Sequence, residues 1–217
     1  MAMKPHLVNT LNNFIAGWYL NDEGICDQLI NYFENSPDKR KGMMSSSSGL
    51  DIVDKEKKDS TDATLQPSPL AHSYIRLLHS VAREYIALYP FSNKVVPWGV
   101  IEPIGIQHYE PGGGYHEWHF ERDNSNDTIA RRHLVFMTYL NDVQDQGGTE
   151  FHYQKLTLKP EKGLTLIWPS DWMFTHRGVV SPSQHKYIIT GWFSTYTNKK
   201  FKVFSKQASH VAGNYSA

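Results

Sequence analysis

The 217-residue chain carries 22 basic and 22 acidic side chains, and 40% of its residues are hydrophobic, enough for one domain with a sizeable core. Zero net charge gives no electrostatic footprint for nucleic acid or an anionic membrane. A single cysteine, Cys26, excludes an intrachain disulfide, and neither a signal peptide nor a bilayer-length apolar run is present, so a soluble cytoplasmic protein is expected.

In chain order, the run Phe14-Ile-Ala-Gly-Trp-Tyr-Leu20 reads as a first strand. Asn21 or Asp22 can then cap a helix whose buried face is Ile25, Leu29, Tyr32 and Phe33, and which ends at Ser36-Pro37. Cys26 inside it reads as a small core residue. Residues 36–66 are polar and rich in lysine and serine, and read as a solvated loop, with an active-site flap as the alternative. Ser68-Pro69 opens a second helix as cap and first-turn proline, with an apolar stripe of Ala71, Ile75, Leu78, Ala82, Tyr85 and Leu88 ending before Pro90. This helical support occupies 1–94.

From Val95 the period becomes strand-like. Strands are expected near 97–110, 114–121, 132–140, 149–153, 164–168, 174–180 and 185–196, separated by turns such as Pro111-Gly-Gly-Gly114, Asn141-Asp142, Gly147-Gly148 and Lys162-Gly163. Many short strands in one block, 95–196, indicate a sandwich or barrel. The tail, 197–217, is polar except for Phe201, Val203 and Phe204, which would cover a sheet edge.

The chemistry concentrates in Tyr109-Glu-Pro-Gly-Gly-Gly-Tyr-His-Glu-Trp-His119-Phe-Glu121. On a strand, His119 and Glu121 would project together, with Phe120 toward the opposite layer. His176, far downstream, would complete a set of two imidazoles and one carboxylate, which leaves the other positions of a non-haem iron open. His116 competes for the first place but pairs at i+2 with Trp118, which cannot ligate. Glu117 shares the face of His119 and would support it from outside. His108, His133, His152, His185 and His210 read as structural or exposed, without a suitably spaced carboxylate and distant histidine. Lys186 opens the apolar run Lys186-Tyr-Ile-Ile-Thr-Gly-Trp192, and a lysine buried there needs an anion.

The set Tyr109…His119-x-Glu121, Tyr139-Leu-Asn-Asp-Val143, Gly147-Gly-Thr-Glu-Phe151, His176-Arg-Gly178 and Lys186-x5-Trp192 resembles the prolyl 4-hydroxylase branch of the Fe(II)/2-oxoglutarate oxygenases. The resemblance covers about 95–196. With Lys-Asp-Ser-Thr-Asp62 upstream, it is nearest to marine phage and bacterial members. It implies a mainly β chain with a double-stranded β-helix, or jelly-roll, core and flanking helices. It implies Fe(II) on His119, Glu121 and His176, and 2-oxoglutarate bound by Lys186, Tyr109, Tyr139 and Thr190. O2 would be consumed, ascorbate could serve as reductant, and a prolyl residue of a peptide or protein would be hydroxylated with release of succinate and CO2. Trp172, Arg177 and Trp192 would form the substrate rim. Glu121 departs from the aspartate usual in prolyl hydroxylases, which bears on substrate choice. Other readings are the same chemistry on a free amino acid, another side chain or a methylated base, and a jelly-roll binding protein without turnover.

Overall fold

The computed structural model describes residues 3–22, 24–45 and 51–196. The expected edge-covering contacts of Phe201, Val203 and Phe204, and the reading of His210, lie outside the described residues.

The chain begins with β1 (Lys4–Pro5) and β2 (Ala16–Tyr19), followed by α1 (Gly24–Glu34). Ile25, Cys26, Leu29 and Phe33 are its buried face. Four short strands come next: β3 (Arg40–Lys41), β4 (Met44–Ser45), β5 (Asp51–Ile52) and β6 (Thr61–Thr64). Then α2 (Pro69–Leu88) starts where the sequence says, with the Ser68 hydroxyl accepting from the Ala71 amide. Its buried stripe adds Tyr74 and Val81 to the expected residues, while Ile75 is half-buried and Leu88 stays exposed. The β-block is β7 (Trp98–Gly99), β8 (Gly105–Tyr109), β9 (Arg132–Tyr139), β10 (Thr149–Phe151), β11 (Leu156–Leu158), β12 (Leu164–Pro169), β13 (His176–Gly178) and β14 (Lys186–Thr195).

These strands form the double-stranded β-helix. A nine-stranded antiparallel sheet runs β1-β2-β12-β9-β14-β8-β6-β3, with β7 also paired to β14. A three-stranded sheet, β11-β10-β13, supplies the opposing wall. The central strands are buried on both faces, and the period-2 alternation divides their side chains between two cores. Leu134 and Phe136 of β9 pack with Ile106, Ile189, Phe193 and the helices. Val135, Met137 and Tyr139 of the same strand face the roll interior with Phe151, Leu166, Trp168 and Ile188. Gly191 is required by this packing, since a Cβ there would lie 2.6 Å from Phe136 Cζ.

Three expectations differ from the structure. Residues 114–121 are not a continuous strand. Tyr115 makes an isolated bridge with Lys58 and His119 one with His176, so the segment crosses between walls instead of laddering along either. Phe120 is exposed rather than packed in an opposite layer. The segment 36–66 is not wholly a solvated loop, because β6 joins the large sheet beside β8 and buries Lys58, Ser60 and Ala63. Lys58 tolerates burial through its 2.8 Å ion pair with Asp62, so a segment as polar as a solvated loop packs against the sheet.

Candidate metal centre and cosubstrate pocket

His119 and His176 come from segments far apart in sequence and are joined by reciprocal backbone bonds. The His119 amide donates to the His176 carbonyl at 3.0 Å, and the His176 amide donates back at 2.9 Å. Each imidazole is then oriented by its own chain. His119 Nδ1 donates to the Glu117 carbonyl and His176 Nδ1 to the Phe174 carbonyl, both at 2.9 Å. That fixes the tautomer and turns both Nε2 atoms inward as acceptors. Tyr115 stacks on His119 at 3.8 Å between centroids. Glu117 thus supports His119 through its backbone, not its side chain.

Glu121 Oε1 lies 3.6 Å from each Nε2. Its other oxygen is held from behind, accepting from Trp192 Nε1 at 3.0 Å, with Arg132 Nη1 at 3.7 Å. Arg132 is itself fixed. It donates twice to Glu102 Oε2, at 3.0 and 2.9 Å, and its guanidinium lies 3.4 Å from the Trp192 ring centroid. Ser194 donates to Glu102 Oε1 at 2.6 Å. The longer glutamate therefore reaches the two imidazoles with one oxygen while the other keeps a directional clamp.

Charge states follow from this packing. Burial, then the neighbouring His176, depress His119 to about 4, and burial also lowers His176. For Glu121 burial pushes upward, but the two histidines, Arg132 and the Trp192 hydrogen bond outweigh it and the net shift is downward. Two neutral imidazoles and one carboxylate, with all three donor atoms within 4.8 Å of one another, suit a divalent first-row transition ion.

The same three residues line a cavity of about 650 Å³ that also includes Tyr109, Tyr139, Thr149, Lys186, Ile188, Thr190 and Trp192. Lys186 is 4% exposed, and its ammonium donates to the carbonyls of Gly147 at 3.0 Å and Val179 at 3.3 Å. Among the described residues no carboxylate pairs with it. Burial lowers it to about 8. A buried cation facing carbonyls inside a cavity fits a ligand carboxylate. Tyr109 lies under the ammonium, 4.7 Å from ring centroid to Nζ, and its hydroxyl donates to Gln107. The Tyr139 hydroxyl shares a 2.6 Å bond with Thr149. Thr190 donates to the Phe136 carbonyl.

The expected rim divides. Arg177 lines the cavity, packs over the Trp118 ring at 4.4 Å and pairs with Glu150 at 2.8 Å. Trp192 belongs to the Glu121 clamp. Trp172 does not line this cavity; it is 57% exposed on a short 3-10 turn and packs edge-on against Tyr153.

Residues 104–194 match the family model described as the 2OG-Fe(II) oxygenase superfamily. This match supports a 2-oxoglutarate-dependent dioxygenase. Such an oxygenase depends on Fe(II), 2-oxoglutarate and O2. No curated protein matches the sequence. The fold of the oxygenase is shared with solved prolyl hydroxylases. A viral collagen prolyl hydroxylase from Paramecium bursaria Chlorella virus-1 superposes with TM-score 0.63 at 19% identity, over 85% of this chain and 98% of that one. A Pseudomonas putida prolyl-4-hydroxylase gives 0.64 at 15% identity, over 88% and 97%. A Trichoplax adhaerens prolyl hydroxylase, solved with a hypoxia-inducible factor peptide fragment, gives 0.64 at 16% identity, over 86% of each chain. No helix among the described residues of the oxygenase is long and apolar enough to cross a membrane.

Sequence reading missed several residues of this oxygenase site. Gln107 was findable, because period 2 puts it on the face of Tyr109. Arg132 and Glu102 carried no local signal, since their partners are distant in sequence. His108 and His185 were set aside for want of a carboxylate, yet His108-x-Glu110 repeats the His-x-Glu spacing, and the fold gathers His108, Glu110 and His185 within 4.8 Å.

Proposed function

We propose that this oxygenase hydroxylates a prolyl residue in a peptide or protein, with His119, Glu121 and His176 as the iron ligands. When bound, Fe(II) supplies the chemistry that couples oxidative decarboxylation of 2-oxoglutarate, yielding succinate and CO2, to insertion of oxygen into a C–H bond. The observation that carries the reading is Lys186, a buried cation without a carboxylate partner among the described residues, in the same cavity as the His-Glu-His set.

The residues then divide the work. Lys186 binds the distal carboxylate of the cosubstrate, and Tyr109, Tyr139 and Thr190 line its slot. Gln107 holds the Tyr109 hydroxyl in place. The neutral imidazoles offer Nε2, and Trp192 with Arg132 keeps Glu121 Oε2 turned away so that Oε1 faces them. Met137, Trp168 and Ile188 wall the cavity with apolar surface and keep water from the reacting centre.

Support for a prolyl peptide comes from the shared fold with three prolyl hydroxylases and from the rim. Trp118, His152, Tyr153 and Trp172 form a chain of edge-to-face ring contacts leading away from Arg177. Aromatic-lined grooves suit extended, proline-rich segments. Succinate formation with Fe(II), 2-oxoglutarate and a proline-rich peptide tests the reading, with mass spectrometry for a 16 Da gain on proline. Turnover with free proline or a methylated nucleobase but not the peptide would transfer the chemistry to another substrate. No peptide-stimulated succinate and no binding of 2-oxoglutarate would leave a jelly-roll binding protein.

A further inference from the structure

We propose that His108, Glu110 and His185 form a second divalent-metal site, separate from the His119 centre. The side chains meet where the end of β8 passes the start of β14. His108 Nε2 lies 3.0 Å from His185 Nδ1, and His185 Nδ1 lies 3.2 Å from Glu110 Oε2. Ligands at about 2.1 Å from one ion, subtending 90–110°, stand about 3.0–3.4 Å apart. These two separations match edges of a coordination shell, while the third pair is wider, with His108 Nδ1 4.0 Å from Glu110 Oε1. An ion therefore closes the set when the exposed His185 and Glu110 side chains turn toward His108 Nε2, with no change of strand register.

The site is built on one side and open on the other. His108 is 9% exposed, stacked on Tyr187 at 4.2 Å and edge-on to Phe33 at 5.7 Å. Tyr187 is in turn hydrogen-bonded to Glu34. The side chains of His185 and Glu110 are 54% and 68% exposed, which gives an ion its path from solvent. Two imidazoles and one carboxylate favour zinc, nickel, cobalt or copper over magnesium or calcium.

The location also gives the site a consequence. In the β8–β14 ladder Tyr109 pairs with Lys186 and His108 pairs with Tyr187. Neighbouring residues on a strand face opposite ways. An ion on His108, Glu110 and His185 would thus tie together, from behind, the two strand ends that present Tyr109 and Lys186 to the cavity. The outer site is a structural clip on the cosubstrate pocket.

Zn(II) titration of the chelator-treated protein by calorimetry tests this. Wild type should take up two equivalents, His119→Ala one and His185→Ala one, with none for the double variant His119→Ala/His185→Ala. In the His119→Ala background, Glu110→Gln should weaken the remaining Zn(II) site at least tenfold. Circular dichroism of each variant checks folding, and His176→Ala can replace His119→Ala if the latter misfolds. One equivalent in wild type, or undiminished uptake by the double variant relative to His119→Ala, would overturn the proposal. These outcomes are independent of catalysis, so a failure here is distinguishable from a failure of the oxygenase reading.

Discussion

Replacing Trp192 by phenylalanine isolates the clamp on Glu121. A smaller aromatic face remains beneath Arg132, while the Nε1 donor 3.0 Å from Glu121 Oε2 is lost. A hydrogen bond to a charged group is worth about 1.5–3 kcal/mol. Arg132, 3.7 Å away, can recover part of this by drawing the freed carboxylate toward itself. That motion pulls Oε1 off its position 3.6 Å from both imidazoles. The net loss in metal affinity should be about 1.4–2.7 kcal/mol, or 10- to 100-fold, the usual range for outer partners of metal ligands. The assay is Mn(II) or Zn(II) calorimetry in a His185→Ala background, so that only the inner centre is counted. Thermal unfolding of the metal-free variant should stay within a few degrees of its parent. Unchanged metal affinity would refute the reasoning, because Glu121 would then hold its position without the indole.

Glu121→Asp withdraws the carboxylate by about one methylene, so it loses either the Trp192 bond or the imidazole face; metal affinity should fall while some turnover survives, and wild-type affinity would show that neither is needed. Lys186→Ala should weaken 2-oxoglutarate binding by about 2–5 kcal/mol with little effect on metal affinity, as measured by calorimetry. Lys186 sits near pKa 8 because of burial and is cationic below that pH. Cosubstrate affinity should therefore be level at lower pH and fall about tenfold per pH unit above 8; a flat profile to pH 9.5 would remove the lysine from the pocket. Gly191→Ala forces a Cβ to within 2.6 Å of Phe136 and should cost about 1–3 kcal/mol of stability, read as a lower melting temperature.

How much was legible depended on where the partners lie. The start of α2 could be read because its cap and proline are neighbours, and the central strands β9, β12 and β14 because their runs are rich in β-branched and aromatic residues between marked turns. His119, Glu121 and His176 were singled out because two of them share a local spacing. The strand β6 was hidden because its Asp62 and the preceding Lys58 are charged in sequence and neutralise each other only in the fold, so the segment reads as a solvated loop. Residues 114–121 misled for the opposite reason. Their aromatic content fits a strand, but Tyr115 and His119 pair with different walls. The Glu102–Arg132–Glu121 chain spans 30 and 11 residues and has no periodic signature at all.

The reciprocal backbone bonds between His119 and His176 bear on how the enzyme acquires iron. They close the site with peptide groups, so the entropy of bringing two distant segments together is lost at folding and not at loading. Metal release then leaves a ready vessel rather than a loosened fold. A ready vessel of two imidazoles and one carboxylate follows the ordinary affinity series, in which Fe(II) ranks below cobalt, nickel, copper and zinc. Among the described residues its ligand set is one that those ions also accept. The working metal of the cell is therefore decided by which ion is supplied at the time of filling, and activity in a purified sample becomes a record of the growth medium as much as of the protein.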